Sequence, residues 1–171
     1  LGLIILQHII EKITSTSIDD YVNDNFYKPM GLWQTGYQPL KRFDKSTIVP
    51  TELDTVFRKC LVQGYVHDPA AAMLGGVAGH AGVFTNAQSL AAIMKMLLDG
   101  GIYGGKRFLK KETILRFTSQ AFPESDNRRG YIFDKPEPDA NKNGPTAKSA
   151  SPRTFGHTGF TGTCAWADPE H

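Results

Sequence analysis

Leu3, Leu6, Ile9, Ile10 and Ile13 recur at helical spacing, with Glu11 and Lys12 between them, which predicts a first helix with a wide apolar face. Ser17 offers an N-cap to a second helix, and Asp19 and Asp20 in its first turn suit the positive end of the dipole. Ile18, Tyr21, Val22 and Phe26 form its buried side, and Pro29 closes it. Residues 30–50 hold no period and contain Gly31, Gly36, Pro39 and Pro50, so they form a connection. Residues 51–61 fit either a short helix or an extended segment. His67-Asp68-Pro69 punctuates the chain ahead of Ala70–Leu74. Thr85 and Gln88 make a capping box for a helix in which Leu90, Ile93, Met94, Leu97 and Leu98 run down one face and which stops at Gly100-Gly101. A short helix is expected over Lys111–Ser119, burying Ile114, Leu115 and Phe117. Arg129–Phe133 is expected as a strand, and residues 135–152 as a long surface loop.

Composition narrows the class. A hydrophobic content of 40% and a charged content of 21% suit a globular chain, and a net charge of +2 gives nucleic-acid binding no support. Lys110-Lys111 and Arg128-Arg129 are isolated basic pairs, expected as solvated surface. Cys60 and Cys164 match no metal spacing and are expected as small, part-buried side chains. The opening Leu1–Leu6 run lacks a basic flank and a small-residue cleavage site, and it is too short to span a membrane.

The chemistry concentrates near the end of the chain. Gly156-His157-Thr158-Gly159-Phe160-Thr161-Gly162-Thr163 lies between Arg153-Thr154-Phe155 and Cys164-Ala165-Trp166-Ala167, which predicts a strand, a tight turn and a second strand. This run resembles the Lys/His-Thr/Ser-Gly strand beside the active site of serine β-lactamases, penicillin-binding proteins and related esterases. Further resemblances follow in order along the chain. Leu1–Thr14 is similar to the helix after the family's Tyr-x-Asn motif. Tyr21-Val22-Asn23 with Phe26-Tyr27-Lys28-Pro29-Met30-Gly31-Leu32 resembles a helix end of the family. Gly75–Thr85 and Leu97-Leu98-Asp99-Gly100-Gly101 resemble its Gly-Gly turn and the helix after it. Val66-His67-Asp68 ahead of the Gly-rich run most resembles the esterase branch.

The resemblance implies an α+β fold, helices beside an antiparallel sheet, and acyl transfer to water through a serine acyl-enzyme. It implies no cofactor. Esters, D-alanyl or peptidoglycan-like peptides and β-lactams are the implied substrates. His157 would face the nucleophile, Thr158 would donate to substrate, Gly159 would admit a close approach, and the Phe160 N–H would give one oxyanion donor. His67, Asp68 and His80 are candidate substrate-side residues. The same three could suggest a metal site, but no helical pairing of the histidines supports one, and Asp68 as a loop brace is the better reading. Gly75–Gly82 lacks the Lys-Ser/Thr ending of a phosphate loop. Tyr21, although part of a Tyr-x-Asn, sits on an apolar helix face and is expected as a core aromatic.

The family's nucleophile belongs to a Ser-x-x-Lys motif, and no serine here has Lys three residues later. The expectation is a partial domain over residues 1–171, with the Ser-x-x-Lys helix roughly a hundred residues upstream and the last strands and C-terminal helix downstream. Open sheet edges would then favour oligomers, and the resemblance implies export to the periplasm or cell envelope. The rival expectation is a noncatalytic binding or accessory module that keeps the cleft wall.

Overall fold

A computed structural model describes residues 1–171, which divide into two compact units, Leu1–Ser89 and Leu90–His171. The elements are helices and three two-stranded antiparallel sheets, so the class is α+β.

In the first unit, α1 (Gly2–Thr14) ends at Ser15, which adopts the left-handed conformation. Its buried residue is Gln7, whereas Leu6, Ile9 and Ile13 are exposed, Ile13 by 78%. The helix is therefore turned away from the orientation its apolar spacing predicts. Polar bonds explain the turn: Gln7 Oε1 accepts from the Gly79 N–H at 2.9 Å, and Gln7 Nε2 donates to Glu11 Oε1 at 3.1 Å. Glu11 in turn accepts from the Ile18 N–H at 3.0 Å. That backbone bond is the main reason its carboxyl titrates below the usual range. Gly79 has to be glycine, because a Cβ there would press on the Leu3 carbonyl and reach Gln7 Cβ at 3.3 Å.

Ser17 caps α2 (Ile18–Val22) by accepting from the Asp20 N–H, and the chain runs on into a wider π-helical turn over Asn23–Tyr27. Ile18, Met30, Leu32 and Tyr37 are buried nearby. The Tyr37 hydroxyl donates to the Ala78 carbonyl at 3.2 Å, and burial pushes its phenol pKa well up. The undecided stretch is extended: β1 (Glu52–Asp54) pairs with β2 (Cys60–Val62), Leu53 opposite Leu61. Asp54 folds the hairpin turn by accepting from the N–H groups of Val56, Phe57 and Arg58. Val66, Ala71 and Ala78 form a small core beside α3 (Pro69–Met73).

The Thr85–Gln88 capping box is not made. Asn86 caps α4 (Ala87–Leu98) instead, its Oδ1 accepting from the Ser89 N–H at 2.8 Å, while the Thr85 hydroxyl pairs with that of Thr35. Gly100 and Gly101 end the helix by donating to Leu97 and Met96 carbonyls.

In the second unit β3 (Ile102–Tyr103) and β4 (Lys106–Arg107) form a minimal hairpin before α5 (Lys111–Thr118). Ile114 and Thr118 of α5 are buried, but Leu115 and Phe117 remain largely exposed. Phe117 packs edge-on against Tyr131 rather than into a core. Arg129–Phe133 is not a strand. Ile132 has a φ of 77° and the Gly130 N–H donates to the Phe133 carbonyl at 3.0 Å, so the segment is a tight turn. Residues 135–152 contain no helix or strand. The chain finishes with β5 (Phe155–Thr158) antiparallel to β6 (Cys164–Ala167). Both cysteines are exposed free thiols, contrary to the part-buried expectation, because each sits on an outward-facing strand position.

An Asn86→Ala substitution should cost about 1 kcal/mol in urea unfolding. Gln88→Ala should change stability by less than about 0.5 kcal/mol, whereas a capping box would make both substitutions costly.

Candidate active site

The β5–β6 hairpin is built for exposure of its tip. Phe155 and Gly156 are buried and pair with Ala167 and Trp166, while His157, Thr158, Gly159 and Phe160 are exposed, Phe160 by 94%. Gly156 lies under the Trp166 ring, where a Cβ would meet ring carbon Cε3 at 2.6 Å. Beyond the last strand pair, Thr158 with Cys164, the Gly159 N–H donates to the Thr163 carbonyl at 2.6 Å. The Gly162 N–H returns to the Gly159 carbonyl at 3.1 Å. These two bonds close the turn that carries Phe160.

Asp134 fixes the other edge of β5. Its N–H donates to the Gly156 carbonyl at 2.8 Å and its carbonyl accepts from the Gly156 N–H at 3.1 Å. Its side chain is buried and accepts from Arg128 Nε at 2.9 Å and Nη2 at 3.0 Å, with Arg129 Nη2 at 3.4 Å. Desolvation pushes this carboxyl up, but the Arg128 bonds, the Lys135 N–H and both guanidinium charges outweigh it and hold the carboxyl below the usual range. Arg128 also donates to the Lys135 carbonyl and faces Glu137 at 3.4 Å. Arg129 reaches His157: Nη1 lies 3.2 Å from the imidazole Nε2, while His157 Nδ1 lies 2.6 Å from the Thr158 carbonyl. The expectation of a solvated pair is thus corrected for Arg128, which is part-buried against Asp134, while Arg129 stays exposed. The signal was present in Asp134, a lone acid downstream of the pair, but no spacing rule ties an acid to arginines across a turn.

Two further anchors steady the hairpin. Asp168 accepts from the Ser151 hydroxyl at 2.6 Å and its N–H at 2.8 Å, bonds that hold its carboxyl far below the ordinary range. Lys135 is buried and donates to the Thr118 and Thr154 carbonyls, capping the end of α5; burial, helped by the Arg153 charge, lowers its ammonium pKa. Lys135 also lines a recess of about 440 Å³ with Leu97, Ile114 and Phe155, and none of residues 157–160 borders it.

The other three candidate residues lie in the first unit. Asp68 Oδ1 accepts from the Ala71 N–H at 2.7 Å, capping α3, and meets His80 Nε2 at 2.9 Å. The Ala71 bond is the larger cause of its lowered carboxyl pKa. His67 Nε2 meets Glu52 Oε1 at 2.5 Å instead. The two histidines therefore address different carboxylates, and no group of three or more His, Cys, Asp or Glu side chains is arranged to hold a metal ion. Tyr21 is only partly buried on α2.

A hairpin ending in His-Thr-Gly within an α+β chain is what the resemblance to serine β-lactamases and penicillin-binding proteins implies. The chain belongs to the β-lactamase family, whose model, described as "Beta-lactamase", matches residues 1–171. It is 34% identical over 177 residues to a protein of Escherichia coli (strain K12) named "Putative D-alanyl-D-alanine carboxypeptidase", covering 96% of this chain and 40% of that protein. A protein of the same name from Salmonella typhi is 36% identical with the same coverage. The chain thus spans 40% of the length of these relatives. A crystal structure of a penicillin-binding protein homolog from Caulobacter crescentus shares the fold, with a TM-score of 0.61 and 21% identity over 96% of this chain and 47% of that one.

Asp134→Asn should destabilise the chain by about 2–4 kcal/mol, because Arg128 loses its carboxylate partner. Asp134 and Asp168 both titrate below their ordinary values in the folded chain. Their contribution is therefore complete above about pH 4 and is lost as pH falls through the lowered values. Urea unfolding at neutral and strongly acid pH should show this loss in the wild type and a smaller one in Asp134→Asn.

Proposed function

We propose that residues 1–171 form one wall of the catalytic cleft of a serine acyl hydrolase acting on carboxylic esters, D-alanyl peptides or β-lactams through an acyl-enzyme. The observation that carries this reading is the exposed His157-Thr158-Gly159-Phe160 tip on a hairpin pinned by Gly156, Trp166 and Asp134. The names of the relatives add weight to D-alanyl peptides. Nucleophile and base would come from a Ser-x-x-Lys motif outside these residues, since none of the serines here is followed by Lys at that spacing. Thr158 would hydrogen-bond the substrate. The Phe160 N–H would join the nucleophile's own N–H in stabilising the oxyanion, where charge develops only in the transition state. Asp68 and His80 would brace the Gly-rich loop, their side chains already being engaged with each other and with the α3 N-terminus, and His67 would hold β1 through Glu52. The reading carries an exported, envelope-facing protein with it. Association through the outer edge of β6, which has no strand neighbour, also belongs to it.

A fluorophosphonate probe followed by intact mass tests the proposal. Residues 1–171 alone should keep their mass, and the longer protein should gain one adduct on a Ser-x-x-Lys serine. An adduct on a serine of residues 1–171 would sink the assignment, and a longer protein without any adduct would favour the noncatalytic module. In a labelled protein, Thr158→Val should slow acylation by about 10–100-fold.

A further inference from the structure

The recess of about 440 Å³ in the second unit is not used by the proposed cleft wall. It lies wholly within that unit, between the end of α4, α5 and the start of β5. Ile114, Phe155 and Lys135 are its buried lining, and Leu97, Leu98 and Leu115 add an apolar wall. A hollow of this size, apolar with a few convergent polar groups, suits a small molecule rather than a docked helix.

Its charge is one-sided. Four basic side chains, Arg107, Lys111, Lys135 and Arg153, line it against one acid, Asp99, and that acid is already held by Lys95 through both oxygens. Arg107 spends Nη1 on the Gly100 and Leu109 carbonyls at 2.8 and 3.0 Å, which leaves its charge uncompensated. Lys111 lays its stem against Gly100 and carries no ion pair. Arg153 meets Glu170 only at 3.9 Å, with both side chains largely in water, where such a contact is weak. Lys135 donates to two carbonyls, so its charge too has no counter-ion. Burial and the Arg153 charge lower its ammonium pKa, a shift that an anion beside it would reverse.

We propose that this recess is a binding site for an anionic amphiphile, a molecule with one carboxylate or phosphate head and a single short apolar chain. The exposed cations Arg107, Lys111 and Arg153 take the head through charge-assisted hydrogen bonds, and the leucine wall with Phe155 takes the chain out of water. The site is separate from the His157–Phe160 tip and does not depend on the hydrolase reading. Phe155 stands two residues before His157, so an occupant touches the strand that presents the tip.

Calorimetric titration of the longer protein with decanoate and with decyl phosphate, each below its micellar concentration, tests the proposal. At least one should bind saturably, one molecule per chain, and about tenfold or more tighter than decanol or decyltrimethylammonium. The preferred head then distinguishes a carboxylate ligand from a phosphate one. Lys111→Gln combined with Arg153→Gln should weaken binding by about tenfold. Leu115→Glu, which sets a carboxylate in the wall at an exposed position, should abolish it. Far-UV circular dichroism and the thermal midpoint of both variants check that the fold is kept. Binding that survives these substitutions, equal uptake of decanol or the cationic amphiphile, or no uptake of either anion overturns the proposal. A dimer that takes up neither anion and dissociates on the double substitution assigns the recess to a second copy of the chain, and overturns it as well.

Discussion

The buried carboxylate of Asp134 is the constraint on which the hairpin site depends. Its backbone pairs with Gly156 in both directions, and its side chain gathers Arg128 and Arg129. Removing a carboxylate from water is unfavourable, and here desolvation is the largest single influence on its titration. Two guanidinium groups and a backbone N–H overcome it. The arrangement links a turn at Gly130–Phe133 to the strand that bears His157, so the orientation of the imidazole is set by a chain of polar contacts beginning in the interior.

The first unit follows a similar logic with other residues. Beside the buried Ile18, Met30, Leu32 and Tyr37, it holds a cluster of small side chains, Val66, Ala71 and Ala78, which bury little area each. Order comes from satisfied polar groups: Gln7 on Gly79, Glu11 on Ile18, Asp54 on its hairpin turn, Asp68 on the α3 N-terminus. Each of these side chains answers a backbone N–H that would otherwise be costly to bury. Gly79 lets the α1 backbone approach closely enough for the Gln7 bond to form.

Within the β-lactamase family, a lysine at the position of His157 would place a fixed cation on the strand itself. In this chain Arg129, brought in from a different segment, places its guanidinium Nη1 3.2 Å from the His157 ring.

What the sequence determined by itself was the local chemistry. Ser17 as a cap, Gly100-Gly101 as a stop and the strand–turn–strand around His157-Thr158-Gly159 depend on short-range bonds and spacing, so they were legible along the chain. The family was legible too, from motifs in order. Three things were decided only by tertiary structure. The face that α1 buries was set by Gln7 meeting Gly79, against the apolar stripe. The expected strand at Arg129–Phe133 became a turn because Gly130 and Phe133 close on each other before Asp134 joins β5. The guanidinium beside His157 was placed by a contact between residues 28 positions apart in the chain. Periodicity reports how a segment could bury its own surface. It carries no information about which distant donor or acceptor will compete for that surface, and for α1 that competitor, the Gly79 N–H, decides the outcome.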